Sequence, residues 1–200
     1  MISGSARGRR LAVPDGRVTR PTSDRAREGL FSTLQSLLGP LAGRAFADLY
    51  AGSGAVGLEA ASRGATTCLL VEQDQRALRA LRANVAALGL PGVVVRPGSV
   101  GQVVGEGPGA YHPEGFDAVF LDPPYDLPAP RLQAVVAQLA EQHWLAPGAV
   151  VVVERASRDG EWGWPAPLRD ARCRRYGEAT LWYGRAADPT DPTDDQDLRE

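Results

Sequence analysis

Three short clusters in this 200-residue chain carry residue types at spacings suited to chemistry. The first is Asp122-Pro123-Pro124-Tyr125, which follows the apolar run Phe116-Asp117-Ala118-Val119-Phe120-Leu121. That run reads as a buried strand. Two successive prolines offer no N–H and fix φ, so the strand must stop there in a stiff turn. In an open α/β sheet, ligands bind outside the carboxyl ends of the strands. A carboxylate, a rigid carbonyl and a flat ring at such a point suit a planar group bearing N–H donors, such as a nucleobase. Asp122 and the Pro123 carbonyl would hold an exocyclic amine, and Tyr125 would stack on its ring. An isolated Pro-rich turn with a capping Asp is the simpler alternative.

The second cluster is Asp48-Leu49-Tyr50-Ala51-Gly52-Ser53-Gly54-Ala55-Val56-Gly57, a G-x-G-x-x-G pattern between a strand and a helix. Ala51, Gly52 and Gly54 would bring bare backbone close to a ligand. The third is Glu72, which stands 20 residues after Gly52 at the end of the next strand and could accept both hydroxyls of a ribose. Together these indicate an adenosine-type cofactor, and the glycines would serve NAD as well as S-adenosylmethionine. Asp48 tips the balance. A carboxylate at the loop faces a pyrophosphate unfavourably, but faces an ammonium or sulfonium well. Its plainer role is a helix-capping carboxylate. Ser99, after the following strand, is placed either to touch an adenine ring or to cap a helix.

These residues need strands that end side by side, and the chain supplies them. Strands are expected at Ala45–Tyr50, Thr67–Val71, Val93–Val95, Phe116–Leu121 and Ala149–Glu154. Helices are expected at Gly52–Arg63, Asp74–Leu88, Val100–Val104 and Arg131–Gln142. Such alternation makes a doubly wound, mostly parallel sheet with right-handed crossovers. Arg172–Tyr176 and Ala179–Tyr183 flank Gly177-Glu178 as a C-terminal hairpin. Ahead of the sheet, Thr22 or Ser23 can cap a helix through Arg25, Leu30, Phe31, Leu34 and Leu38, and Ile2–Val13 suggests a small β-hairpin. The division expected is a basic appendage (1–40), a catalytic domain (41–185) and a disordered acidic tail (186–200).

Charge is unevenly placed. The formal net charge is −2, yet residues 1–31 carry seven arginines against three acids, and residues 186–200 carry one arginine against six acids. Arg7, Arg9, Arg10, Arg20 and Arg25 are candidate RNA contacts. Cys68 and Cys173 form no metal-binding spacing, and His112 and His143 have no ligating neighbours, so no metal site is expected. No apolar run is long enough to span a bilayer, and Met1–Arg10 lacks a signal-peptide core, so a cytoplasmic protein is expected. Nothing points to an oligomer.

The stretches Arg20-Pro-Thr-Ser-Asp-Arg-Ala-Arg-Glu-Gly-Leu-Phe31, Asp48–Ala60, Val71-Glu-Gln-Asp74 and Asp122–Tyr125 resemble the RsmD family of 16S ribosomal RNA guanine-N2 methyltransferases. The ends, Arg7-Gly-Arg-Arg-Leu11 and Tyr176-Gly-Glu-Ala-Thr-Leu181, look like that family's ends. The resemblance runs from residue 2 to about 185. It implies a class I, Rossmann-like methyltransferase with a seven-stranded sheet, using S-adenosylmethionine and acting on one guanine of 16S rRNA within partly assembled 30S subunits. It makes Asp122, Pro123 and Tyr125 catalytic. It gives the cofactor to Asp48, Ala51, Gly52, Gly54, Glu72, Ser99 and Asp122. Ser99 departs from the acidic or amide residue this family often carries there, and the acidic tail is a second departure. Without the resemblance, Asp122–Tyr125 fits adenine N6 as well as guanine N2. The other classes weighed are an NAD-dependent oxidoreductase, disfavoured by Asp48, and a non-catalytic RNA-binding protein, disfavoured by intact Glu72 and Asp122.

Overall fold

The computed structural model describes residues 1–13, 24–109 and 111–188. Arg20, the Thr22/Ser23 cap and nearly all of the acidic tail therefore lie outside the described residues. One seven-stranded sheet organises the chain. Its strands are β1 (Ala45–Asp48), β2 (Thr67–Glu72), β3 (Val93–Pro97), β4 (Phe116–Leu121), β5 (Leu145–Ala156), β6 (Arg169–Tyr176) and β7 (Ala179–Arg185), in the spatial order β3-β2-β1-β4-β5-β7-β6. The first five run parallel, and β7 and β6 close the sheet antiparallel. This is the mostly parallel, doubly wound sheet with a C-terminal hairpin that the alternation predicts.

Helices α1 (Asp24–Leu38), α2 (Ala55–Ser62) and α3 (Gln75–Leu88) cover one face; α4 (Val100–Gly105) and α5 (Ala129–Glu141) cover the other. The two faces sort the strand residues by alternation. Phe46, Leu70, Phe120, Val152 and Leu181 point to the first core with Leu30, Phe31, Leu34, Leu58 and Leu81. Ala47, Leu69, Val119, Val151 and Val153 point to the second with Leu132, Val136 and Trp144. Each large aliphatic side chain buried this way contributes about 2 kcal/mol. α3 shows how the sequence sets its own limits. Asp74 caps it by accepting from the Arg76 and Ala77 amides at 3.0 and 2.9 Å, and Gly89 ends it at φ 61°.

Two regions differ from the sequence reading. The β-hairpin expected at Ile2–Val13 is absent: residues 3–8 form turns, not paired strands. The reason is that α2 side chains take the backbone groups a partner strand would have used. Fully buried Glu59 accepts from the Ile2 and Ser3 amides at 2.8 and 2.9 Å, and Ser62 Oγ accepts from the Ala6 amide and donates to the Ser3 carbonyl. The second region is 157–168, for which no structure was expected. It packs Trp162, Trp164 and Leu168 into the second core beside Val151 and Val153 of β5 and Trp182 of β7. Trp162 and Trp164 meet edge to face at 5.9 Å, and the Gln133 amide ties the loop to α5 through the Gly163 carbonyl.

Glu59 also pairs with Arg63 at 2.9 Å, and Arg63 lies 4.6 Å over the Phe31 ring of α1. One buried carboxylate thus joins the chain start to α2, and through Arg63 to α1. Glu59→Ala leaves two amides and a guanidinium without their acceptor, so urea unfolding should show a loss of about 3 kcal/mol. A change below about 0.5 kcal/mol would mean water replaces the carboxylate at no cost.

Candidate active site

Three carboxylates stand at the carboxyl ends of three adjacent strands. Asp48 ends β1, Asp122 follows β4 and Glu154 lies two residues before the end of β5. The register pairs Asp48 with Phe120 and Leu121 with Val153, which sets Glu154 level with Asp122 and Asp48 two residues behind. Alternation turns all three toward the face that carries Phe46, Phe120 and Val152. Asp48 is 1% exposed and Glu154 5%, while Asp122 is partly exposed. Burial disfavours the charges of Asp48 and Asp122, and their neighbours' charges add to it. Burial, followed by the charge of Glu72 and opposed by the Gly57 N–H, pushes the Asp48 carboxyl up to about 7. Burial, then Glu154, then Asp48 raise Asp122 well above the usual carboxylate range. Such a rank is stabilised by a cation placed against it.

The glycine loop is bound to these acids. Asp48 Oδ2 accepts from the Gly57 amide at 2.9 Å, inside the first turn of α2. Its other oxygen, Oδ1, is buried with no hydrogen-bond partner. Asp48 therefore braces the helix, as its plainer reading held, and still presents an oxygen for a ligand. Glu72 Oε2 accepts from the Gly52 amide at 2.8 Å, and Oε1 from the Gln73 and Asp74 amides at 2.8 and 2.7 Å. The glycines differ in what they allow. A Cβ on Gly57 would come within 2.8 Å of Leu70, so this glycine permits close contact of α2 with β2. A Cβ on Gly52, at φ 56°, would project into open space beside Ala51 and Gly54. An orphaned carboxylate oxygen, Glu72 with capacity left on Oε2 and this cradle fit a cationic adenosyl cofactor.

At the Asp122 turn, Pro123 is buried and Tyr125 is 55% exposed, so the ring is presented outward. The Leu127 amide closes the turn on the Pro124 carbonyl at 3.0 Å. Arg155 locks it from behind, donating to the Leu127 carbonyl at 3.0 Å while pairing with Asp159 at 2.9 Å. Ser99 caps α4 through the Gln102 amide at 3.4 Å, with β3 pairing Pro97 to Glu72 just before it.

The structure thus brings Asp48, Ala51, Gly52, Gly54, Glu72, Asp122, Pro123 and Tyr125 to one rim. Of the candidate arginines near the N-terminus, Arg7, Arg9, Arg10 and Arg25 fall among the described residues. Arg9 donates to the Ala87 carbonyl at 2.7 Å, at the far end of α3, twelve residues or about 18 Å of helix from its start. Arg7 and Arg10 flank it and are exposed, and so is Arg25, one residue into α1. Two residues of consequence escaped the sequence reading. Glu154 had a signal: an acid at the carboxyl end of the run Val150–Val153. Asn84 had none. Buried in α3, it donates to the Ser53 carbonyl of the glycine loop and to the Ala12 carbonyl, both at 2.9 Å, and accepts from the Ala12 amide at 2.7 Å.

Residues 1–185 match the model of the family described as conserved hypothetical protein 95. The chain belongs to that family, the RsmD family. An Escherichia coli K12 relative, named ribosomal RNA small subunit methyltransferase D, is 35% identical over 161 residues, covering 80% of this chain and 76% of its own. Among solved structures, the Escherichia coli protein yhhF is 32% identical with a TM-score of 0.79, over 94% of this chain and 97% of its own. A hypothetical protein from Thermus thermophilus is 35% identical with a TM-score of 0.73, over 93% and 96%. The RsmD-family fold is therefore the one on which the carboxylate rank is built. Among the described residues no group of three or more His, Cys, Asp or Glu is placed to hold a metal, and no helix is long and apolar enough to cross a membrane.

Because the folded Asp48 carboxyl titrates near 7 against an ordinary 3.8, the folded chain holds this proton where the unfolded chain does not. Its contribution to stability is full below about pH 4 and is lost as pH rises through 7. Without ligand, unfolding free energy should fall from pH 5 to pH 8, and Asp48→Asn should flatten that fall. Identical pH profiles for the two proteins would contradict the burial argument.

Proposed function

We propose that this chain is an S-adenosylmethionine-dependent methyltransferase acting on the exocyclic N2 of one guanine in 16S rRNA. The observation that carries the reading is the rank of Asp48, Asp122 and Glu154 beside the glycine loop. S-adenosylmethionine, when bound, supplies a methyl group activated on a sulfonium. Glu72 accepts the ribose hydroxyls, and the free Oδ1 of Asp48 accepts the methionyl ammonium. Ala51, Gly52 and Gly54 lend bare backbone, and Ser99 lies toward the adenine.

At the base, Asp122 and the Pro123 carbonyl accept the amine hydrogens, and Tyr125 stacks on the ring. These contacts orient a nitrogen whose lone pair is delocalised into the ring and favour its pyramidal form. The gain is positioning and electrostatics. N2 would gain the methyl as its bond to the sulfonium sulfur breaks, leaving a neutral thioether, and would give up one proton. Asp122, made more basic by burial and then by the charges of Glu154 and Asp48, would receive it. The substrate is rRNA within partly assembled 30S subunits, the protein works as a monomer in the cytoplasm, and Arg7, Arg9, Arg10, Arg20 and Arg25 contact the RNA. Residues 1–40 then serve as the RNA-facing part, 41–185 as the catalytic domain and 186–200 as an acidic tail.

The test is transfer of tritiated methyl to 30S particles lacking the modification, with nucleosides separated after digestion. The expected label is N2-methylguanosine. Label in N6-methyladenosine would replace guanine with adenine as the substrate, and no transfer to any RNA would remove the reading.

A further inference from the structure

The edge of the sheet far from the glycine loop carries a charge that the reaction does not use. Residues 169–185, which form β6, β7 and their turn, hold Arg169, Arg172, Arg174, Arg175 and Arg185 against Asp170 and Glu178, a net +3. Four of those arginines fall on β6, the outermost strand. Among the described residues, the Arg174 and Arg175 guanidiniums bond only backbone carbonyls, of Cys173 at 3.1 Å and Gly177 at 3.2 Å. Both side chains are exposed.

Register decides where these charges stand. Arg174 pairs with Leu181, and Leu181 pairs with Glu154 on its other side. Glu154 is level with Asp122. A single row across the sheet therefore reads Asp122, Glu154, Leu181, Arg174. With strands about 4.8 Å apart, Arg174 sits roughly 14 Å from Asp122 in the plane of the sheet. Paired residues share a face, so Arg174 extends from the face that bears the carboxylates. Arg175, in the next row with Thr180 and Arg155, extends from the opposite face, where Arg155 holds the Asp122 turn. The two side chains leave this edge from opposite faces of the sheet, Arg174 in the catalytic row and Arg175 in the next.

We infer that the β6 edge is a second RNA-docking surface, which holds the phosphate backbone flanking the target nucleotide while the Asp122 turn receives the base. The inference rests on the proposed rRNA substrate. Phosphate contacts set register and orientation, base contacts set identity. A basic edge beside an acidic catalytic rank divides the labour in this way. The carboxylates repel phosphate and accept only the amine and the cofactor cation, and the arginines take the backbone. The β6 arginines are distinct from those of the chain start, where Arg9 is held at the Ala87 carbonyl of α3. Charges on an edge strand also deter pairing with a second sheet. That service is met by charge of either sign and predicts no effect on RNA.

Binding of the full chain to unmodified 30S particles, measured across salt concentrations, tests the inference. Arg174→Gln/Arg175→Gln should bind about tenfold more weakly at moderate salt. The slope of log K against log salt should fall in magnitude by roughly 1.5, the value for two lost phosphate contacts at about 0.7–0.9 each. Affinity for S-adenosylhomocysteine should be unchanged, and Arg174→Lys/Arg175→Lys should keep most of the slope. If the glutamine pair self-associates, Arg174→Glu, which retains an edge charge, should weaken RNA binding still further. An unchanged slope and affinity, in a background where the unaltered chain binds and methylates, overturns the docking surface alone. An unaltered chain that ignores the particles overturns the rRNA reading, and the inference with it.

Discussion

The structure depends on one unfavourable arrangement, three carboxylates crowded at the ends of β1, β4 and β5. Asp48 and Glu154 are almost wholly buried, and Asp122 feels both of them. Water would separate such charges; the sheet does not let it. β1, β4 and β5 are the three central parallel strands, their positions fixed by two apolar layers, so the acids stand where the register sets them. A cation and N–H donors set against the acids would relieve the cost of this crowding. Buried acids with raised pKa values gathered in one place are the signature of a site under such tension.

Around that rank the rest of the chain acts as bracing. Glu72 holds Gly52, Asp48 holds the first turn of α2, and Arg155 holds the Asp122 turn. Asn84 extends the bracing outward, bonding Ser53 of the glycine loop and both backbone groups of Ala12. The segment leading from the arginine-rich start is therefore one side chain away from the glycine loop. Glu59 and Ser62 anchor the other end of that segment. Both anchors are polar side chains of helices, which is why the segment runs as turns on the helical layer and not as a hairpin.

Much of this was legible in the sequence because it is local. The G-x-G-x-x-G loop, Glu72 at its fixed distance and the double proline after β4 each declare their geometry within a few residues. β4 was legible to the residue, since an apolar run met a proline stop. What was not legible is what depends on distant partners. Nothing near Asn84 reveals that it will meet Ser53 and Ala12, and the turn chemistry of Gly4 and Gly8 reads as a hairpin until Glu59 and Ser62 are set beneath it. The Trp162 loop packs onto the second core without a periodic pattern of its own, so periodicity cannot announce it. Glu154 stands between these cases: its type was visible, its neighbour was not, because only the β4–β5 register makes it one.

The central claim is that Asp122, held among buried acids, acts on the reacting amine and is not merely a cap on the turn. Single-turnover methyl transfer to unmodified 30S particles by Asp122→Asn tests it most directly, since the change keeps shape and removes charge. The account predicts a rate lower by about a hundredfold or more, with affinity for S-adenosylhomocysteine held within a few-fold. A rate equal to that of the unaltered chain would contradict it.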